Sequence, residues 1–151
     1  MQDVKKLREE TGARILDCKK ALEEAQGDME QAKQVVAEKD LARAEKKQGR
    51  ETKEGYVASY VHNTGKVAAL VEVQCETDFV AKNDNFRTMV RNLAMQVAAM
   101  NPDSVEELLE QDYIKDPAQD VETYFKSVSG KIGENMVVAR FVRFEVGGSQ
   151  E

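Results

Sequence analysis

Glu72-Val-Gln-Cys-Glu-Thr-Asp-Phe-Val-Ala-Lys-Asn-Asp-Asn-Phe86 contains the point at which the apolar residues of this chain change from one period to another. Before it they occupy every second position, as in a strand with one buried face: Val67, Ala69, Val71, Val73 and Cys75. After it they recur at helical spacing: Phe86, Met89, Val90, Leu93, Val97 and Met100. Asn83 and Asp84 can cap that helix. Thr77-Asp78-Phe79-Val80 is therefore predicted at a corner between a strand and a helix.

Asp78 and Phe79 are adjacent at this corner, and the residues alone leave two interpretations open. In the first, Phe79 and Val80 enter the core while Asp78 caps a turn, which is the common fate of a phenylalanine. In the second, the two rigid elements hold the ring and the carboxylate outward at a fixed angle, as a binding group.

Residues 1–40 are predicted to form three short helices, with breaks at Thr11-Gly12 and at Gly27-Asp28. Glycine suits the end of a helix, and aspartate suits the start of the next one. The apolar stripes contain few large side chains, so only a small bundle can form. They comprise Val4 and Leu7, then Ile15, Leu16, Leu22 and Ala25, then Met29, Ala32, Val35 and Val36.

Residues 41–54 are dense in charge and almost free of large apolar side chains, so we predict a solvated helix or linker there. Five basic residues could suggest nucleic-acid binding: Arg43, Lys46, Lys47, Arg50 and Lys53. Acidic residues are interspersed among them and no aromatic platform accompanies them, which argues against direct nucleic-acid contact.

The remaining pattern predicts an α+β core. Residues 55–76 are predicted to form a β-hairpin whose turn is Asn63-Thr-Gly-Lys66, with Gly65 supplying the positive φ that tight hairpins need. Helices are predicted over 86–100, 105–110 and 121–132, and a last strand over 136–146. A three-stranded antiparallel sheet packed by helices accounts for these elements. In the last strand, alternation predicts Met136, Val138, Val142 and Phe144 on one face and Val137, Ala139 and Phe141 on the other.

Composition and motifs exclude several classes of function. The formal net charge is −6, which disfavours binding to a phosphate backbone, and no run of about 18 apolar residues could span a membrane. No signal peptide precedes the first charged helix, so a cytoplasmic protein is expected. The chain has no phosphate-binding glycine loop and no paired catalytic carboxylates. We therefore expect no cofactor, no metal site and no enzymatic activity.

His62 and Cys75 could be read as the base and nucleophile of a thiol hydrolase. They lie at opposite ends of the predicted hairpin, about 26 Å apart at 3.3 Å per residue. Cys75 is better interpreted as a small buried side chain.

Three groups of residues resemble the elongation factor Ts family, the nucleotide exchange factors for elongation factor Tu. Cys75-Glu-Thr-Asp-Phe-Val-Ala81, followed by Asn83-Asp84 and Phe86, resembles the core signature of that family. Val4-Lys-x-Leu-Arg-x-x-Thr-Gly-Ala13 with Asp17-Cys-Lys-Lys-Ala-Leu22 resembles its N-terminal module, which has the fold of ubiquitin-associated domains. Lys131-Ile-Gly-Glu-Asn135 resembles the close of a core subdomain. The resemblance implies a three-helix domain with its charged linker over residues 1–53 and a core, or dimerisation, domain over 54–151.

The resemblance also implies site residues and a partner. Elongation factor Tu would be contacted at the corner by Thr77, Asp78, Phe79 and Val80. Phe79 would be wedged between partner helices, so that the Mg²⁺ and phosphate site releases GDP. A second contact, through the N-terminal module, would involve Leu7, Arg8, Thr11, Gly12 and Lys19. The expected location is the cytoplasm of a bacterial-type cell.

A homodimer is expected because a sheet of three strands leaves an apolar face or edge to cover, and self-association covers it symmetrically. Longer members of the resembled family have two core subdomains, whereas this sequence accounts for one. The alternative function is a ubiquitin-like-binding module, carried by residues 1–40, joined to an unrelated α+β domain.

Overall fold

The computed structural model describes residues 1–148 and contains seven helices and three strands within that range. In chain order they are α1 (Gln2–Thr11), α2 (Ile15–Glu24), α3 (Met29–Lys47), β1 (Glu54–Val61), β2 (Val67–Cys75), α4 (Asp78–Ala81), α5 (Asp84–Met100), α6 (Val105–Glu110), α7 (Val121–Ile132) and β3 (Val137–Glu145). The predicted α+β fold is confirmed. No helix among these residues is long and apolar enough to cross a membrane.

The three N-terminal helices form a small bundle with its own apolar centre. Gly12 ends α1 in the left-handed region at φ 73°, and its N–H donates to the carbonyl oxygen of Arg8. The Asp28 carboxylate caps α3 by accepting from the backbone N–H groups of Glu30 and Gln31. The buried centre is made mostly of small side chains: Leu7, Ala13, Cys18, Ala21, Leu22, Ala25, Ala32 and Val36.

Helix α3 is longer than predicted, since it runs through the charged stretch to Lys47 and packs against α7. Asp40 and Ala44 are buried on one side of it. Within residues 41–54, predicted to be a solvated helix or linker, Ala44 is therefore buried, while the other residues are exposed or half-buried. Gly130 of α7 faces α3, and Ala44 of α3 is also small, so the two helix backbones approach closely. Such a contact contains no large apolar side chain, and the apolar pattern of the sequence therefore does not indicate it.

The sheet is antiparallel throughout, in the order β1-β2-β3. The inward face of β2 is fully buried at Val71, Val73 and Cys75, as the alternation predicted. Helix α5 packs across this face and contributes the largest fully buried side chains of the core, including Phe86, Met89 and Leu93. The hairpin turn contains Gly65 at φ 71°, also as predicted.

A β-bulge in the sheet corrects the predicted faces of the last strand. Glu72 pairs with Arg140 whereas the next residue, Val73, pairs with Val138, so β3 contains one extra residue at Ala139. An extra residue reverses the alternation of every side chain that follows it. Phe141 consequently packs against the core, while Val142 and Phe144 lie on the opposite face from Val138.

The face of the sheet that points away from the helices carries several exposed apolar side chains beside the ion pair of Glu72 and Arg140. It carries Val57 on β1, Leu70 on β2, and Val142 and Phe144 on β3; Phe144 is 65% exposed. Leu70 pairs directly with Val142, so these side chains form a continuous surface. We call Val57, Leu70, Val142 and Phe144 the open sheet face.

Candidate functional site

The corner between β2 and α5 is a single helical turn that is capped at its start. Thr77, the residue before α4, has an extended backbone, and its hydroxyl oxygen accepts from the N–H of Val80 at 3.3 Å. Asn83 then caps α5 by accepting from the N–H of Phe86 at 3.1 Å. Two successive caps direct the chain from strand to turn to helix, so the corner has a defined geometry.

Phe79 projects from this turn into solvent and is 83% exposed. Its neighbour Ala81 is buried, and Val80 packs partly against the core. Burial of Phe79 in the core, the first interpretation of the corner, is therefore wrong. The turn places two of its side chains inward to fix the backbone and leaves the aromatic ring outward.

Asp78 lies beside Phe79 and is also exposed. One carboxylate oxygen lies 3.8 Å from Nζ of Lys82, one turn later on the same surface. An exposed pair of this kind contributes little to stability. The carboxylate therefore remains available to accept hydrogen bonds from a second molecule.

Glu134, which follows α7 and is distant from the corner in the chain, contacts the corner directly. One of its oxygens, Oε1, accepts from the backbone N–H groups of Glu76 at 3.0 Å and Thr77 at 3.1 Å. The other, Oε2, accepts from the Thr77 hydroxyl at 2.7 Å. No role was predicted for Glu134 from the sequence, because contacts between residues 57 positions apart leave no local pattern. Its only signal was its place in the third family-like motif.

The N-terminal residues implied by the resemblance differ in accessibility. Arg8, Gly12 and Lys19 are exposed, and Thr11 is half-buried, with its hydroxyl donating to the carbonyl oxygen of Leu7 at 2.7 Å. Leu7 itself is completely buried. Its side chain cannot touch a partner directly, because the helical period places it on the inner face of α1.

Ile15 and Leu16 were predicted to belong to the buried stripe of α2, but both are more than half exposed. They lie in the first turn of α2, where the chain has just left the bundle centre at Ala13. The bundle therefore presents two adjacent aliphatic side chains that sequence periodicity assigned to its core.

A groove of about 540 Å³ brings the two implied contact regions together. Thr11 and Gly12 of the bundle line one side, and Phe79 and Val80 of the corner line the other. Lys19 is not part of its lining. The groove continues over α5 and α7 along Asn83, Asn85, Thr88, Tyr124, Val128, Lys131 and Ile132.

His62 and Cys75 do not form a nucleophilic pair. Cys75 is buried opposite Glu54 at one end of the hairpin, whereas His62 lies beyond Val61 at the other end and contacts the hydroxyl of Tyr60 at 3.1 Å. Burial raises the pKa of the Cys75 thiol to about 11, so the thiolate is scarce at neutral pH. The thiol hydrolase interpretation is excluded by this geometry.

An exposed aromatic ring beside an exposed carboxylate, on a corner capped at its start, is typical of surfaces that bind another protein. Comparison with known proteins identifies the family. The family model described as "Elongation factor TS" matches residues 76–151. Elongation factor Ts of Thermoanaerobacter sp. (strain X514) is 42% identical over 191 positions, covering 97% of this chain and 94% of that protein. The chain belongs to the elongation factor Ts family.

Two further relatives extend the comparison. Elongation factor Ts of Thermotoga maritima is 41% identical over 194 positions, covering 100% of this chain and 98% of that protein. The Clostridium kluyveri protein is 50% identical over 145 positions, and these cover 96% of this chain and 47% of that relative. The chain thus corresponds to about half the length of the Clostridium protein. Since one set of relatives matches both the bundle and the core, the alternative of an unrelated α+β domain is wrong.

Family membership implies a role as nucleotide exchange factor in translation elongation, with elongation factor Tu as the partner.

Proposed function

We propose that this chain binds elongation factor Tu in its GDP-bound form and promotes GDP release by inserting Phe79, with Asp78 beside it, into the partner. The exposure of Phe79 is the observation that carries the proposal. An exposed ring leaves most of its apolar surface in water, and burying a Phe side chain is worth about 1.5–3 kcal/mol. The capped turn holds the ring in place before the partner arrives.

Insertion promotes release because it favours a partner conformation with poor nucleotide contacts. A GTPase holds its nucleotide through a phosphate loop and Mg²⁺, and we place the effect of the wedge on the elements around these groups. If binding of the chain weakens binding of GDP, then GDP weakens binding of the chain by the same factor. The chain itself needs no contact with the nucleotide.

We assign the N-terminal module, residues 1–53, to affinity and the core, from residue 54, to the exchange step. Arg8, Thr11, Gly12 and Lys19 supply polar and backbone contacts, and the exposed Ile15 and Leu16 add apolar surface. The shared groove supports this division, because a partner that accepts Phe79 also faces Thr11 and Gly12. We place this activity in the cytoplasm, where translation occurs.

We further propose that two copies of the chain pair through the open sheet face. Its exposed side chains are aliphatic and aromatic, and the ion pair between Arg140 Nε and Glu72 Oε1, 2.7 Å long, lies on the same face beside Val57. Two such faces can stack as the layers of a β-sandwich. Because both copies contribute the same surface, a two-fold axis satisfies the contact and closes the assembly.

The proposed function is tested by following release of a fluorescent GDP analogue from elongation factor Tu after mixing with excess unlabelled GDP. The release rate should rise with the concentration of the chain and then level off. A rate that stays at its intrinsic value at every concentration would overturn the proposal. Addition of free GDP should lower the apparent affinity of the chain for its partner, as reciprocity requires.

A further inference from the structure

The corner that carries Phe79 and the segment that follows α7 hold each other by reciprocal hydrogen bonds. Glu134 accepts hydrogen bonds from the backbone N–H of Glu76 and from the backbone N–H and the hydroxyl of Thr77. In return, Oε2 of Glu76 accepts from the backbone N–H of Asn135 at 2.7 Å. Each segment thus places a carboxylate against the other's backbone. Hydrogen bonds to a carboxylate are about twice as strong as neutral ones.

Arg50 and Asn135 complete this arrangement. The side-chain amide of Asn135 donates to the carbonyl oxygen of Arg50 at 2.7 Å, and Arg50 Nε lies 3.5 Å from Oε1 of Glu76. Asn135 is buried and only 18% of the Glu76 side chain is exposed. The two bonds made by Asn135 are thus partly shielded from water and stronger than those of a surface pair, whereas half of the Arg50 side chain and the bonds between Thr77 and Glu134 are exposed.

Glu134 acts directly on the turn that bears the ring. A hydroxyl has one hydrogen and two lone pairs. Because the Thr77 hydroxyl donates its hydrogen to Glu134, a lone pair remains to accept from the N–H of Val80. That bond caps the turn in which Phe79 lies. Glu134 therefore orients the hydroxyl that caps the turn bearing Phe79.

We propose that Glu134 is a positioning residue for nucleotide exchange, which holds Thr77 and the Asp78-Phe79 turn in the conformation that enters the partner. This inference rests on the proposed function of Phe79 for its kinetic consequence. A turn ordered in advance avoids the cost of ordering during association. Loss of Glu134 should therefore weaken productive binding although Glu134 need not touch the partner.

The test uses three substitutions of Glu134 in the full chain. Glu134→Ala removes all three hydrogen bonds, and Glu134→Asp keeps the charge but withdraws the carboxylate by one methylene. Glu134→Gln keeps an oxygen for the two backbone N–H groups and an amide that can donate to the Thr77 hydroxyl. Glu107→Ala is the matched control, because Glu107 also accepts from a backbone N–H, that of Asp103, but far from the corner.

Amide hydrogen exchange measured by NMR reports the turn without any partner present. In Glu134→Ala and Glu134→Asp, the amides of Val80, Ala81 and Lys82 should exchange about tenfold faster or more, while those in the middle of α5 keep their rates. The concentration of chain that gives half-maximal GDP release should rise by a similar factor. Glu134→Gln should restore most of both properties, and Glu107→Ala should change neither.

Unchanged protection of Val80, Ala81 and Lys82 in Glu134→Ala and Glu134→Asp would overturn the inference. Equal loss of protection in the turn and in α5 would also overturn it, since Glu134 would then support the whole fold. If Glu134→Ala does not fold, Glu134→Asp decides. If the wild-type chain does not accelerate GDP release from elongation factor Tu, the proposed function is wrong. The hydrogen-exchange rates of these amides test the role of Glu134 in either case.

Discussion

Gly130 of α7 lies directly against the backbone of Asp40 of α3, so closely that a β-carbon at position 130 would overlap the carbonyl group of Asp40. Gly130 is therefore required by the approach of the two helices. This contact joins the N-terminal bundle to the core, since α3 begins in the bundle and ends on α7.

Gly130→Ala should destabilise the chain by about 1–3 kcal/mol, because it forces two packed helices apart. The sign of this change in stability is informative, because a glycine-to-alanine substitution in an unobstructed helix stabilises the protein by about 1 kcal/mol. Urea unfolding followed by circular dichroism measures the difference. Lys126→Ala, which removes an ion pair with Glu122 within α7 but adds no atom between the two helix backbones, is the control and should change stability little. A stabilised Gly130→Ala variant would show that α3 and α7 are not in contact in solution.

Asp40 makes this interface sensitive to pH. Its side chain is buried, and within residues 1–148 its Oδ2 has no hydrogen-bond partner. Burial raises the pKa of Asp40 from 3.8 to about 6. Lys131 of α7 and Arg43 of α3 oppose this rise, and Asp17 of α2 adds to it. The carboxyl group thus keeps its proton to a higher pH in the folded protein than in the unfolded chain.

The free energy of unfolding should therefore fall as the pH rises from about 4 to about 6, because the folded state retains a proton that the unfolded chain has lost. Above about pH 6, the contribution of Asp40 to the free energy of unfolding no longer changes with pH. The difference in pKa corresponds to about 3 kcal/mol at 1.36 kcal/mol per unit. Asp40→Asn should remove this slope and raise stability at neutral pH, as measured by urea unfolding across pH 4–8.

Asp120 provides a control of opposite sign for that experiment. Hydrogen bonds from Thr123 lower the pKa of Asp120, which caps α7. Its contribution is present at neutral pH and is lost as the pH falls through its lowered pKa. Asp120→Asn should flatten the acid limb of the curve and leave the slope between pH 4 and 6.

If Asp40→Asn instead destabilises the protein at neutral pH, the buried carboxylate has a partner that stabilises its charge.

Phe144→Asp should convert the proposed dimer into a monomer, because it places a charge within an apolar contact. Light scattering at micromolar concentration measures the mass directly. Phe79→Asp introduces the same change at the other exposed phenylalanine and should leave the mass unchanged. A wild-type chain with monomer mass would contradict pairing through the open sheet face.

Local patterns in the sequence predicted most of the elements. The alternation before Cys75 and the helical spacing after Phe86 placed the corner correctly, since each pattern reflects one buried face. The bulge at Ala139 was not predictable, because it depends on the pairing of β3 with β2. The contacts of Gly130 with Asp40 and of Glu134 with Thr77 were missed for the same reason. Both join residues far apart in the chain through backbone groups, which carry no sequence signal.

At the candidate site, the sequence predicted the position of the corner but not the direction of its ring. Val80 and Phe79 are both apolar, and a turn of four residues is too short for a period to show which one is buried. Resemblance to the family implied an outward Phe79. The structure agrees, because the caps at Thr77 and Asn83 direct Ala81 and part of Val80 inward.

The insertion of Phe79 is tested most directly by measuring GDP release and thermal unfolding on Phe79→Ala, with Phe86→Ala as the buried counterpart. Truncation of an exposed anchor costs about 2 kcal/mol of binding or more, which is about thirtyfold, so Phe79→Ala should melt like the wild type but need about thirtyfold more protein to release GDP. Phe86 is fully buried, and its truncation should cost about 3–5 kcal/mol of stability. Phe79→Ala that releases GDP at the wild-type rate and concentration would contradict the insertion mechanism.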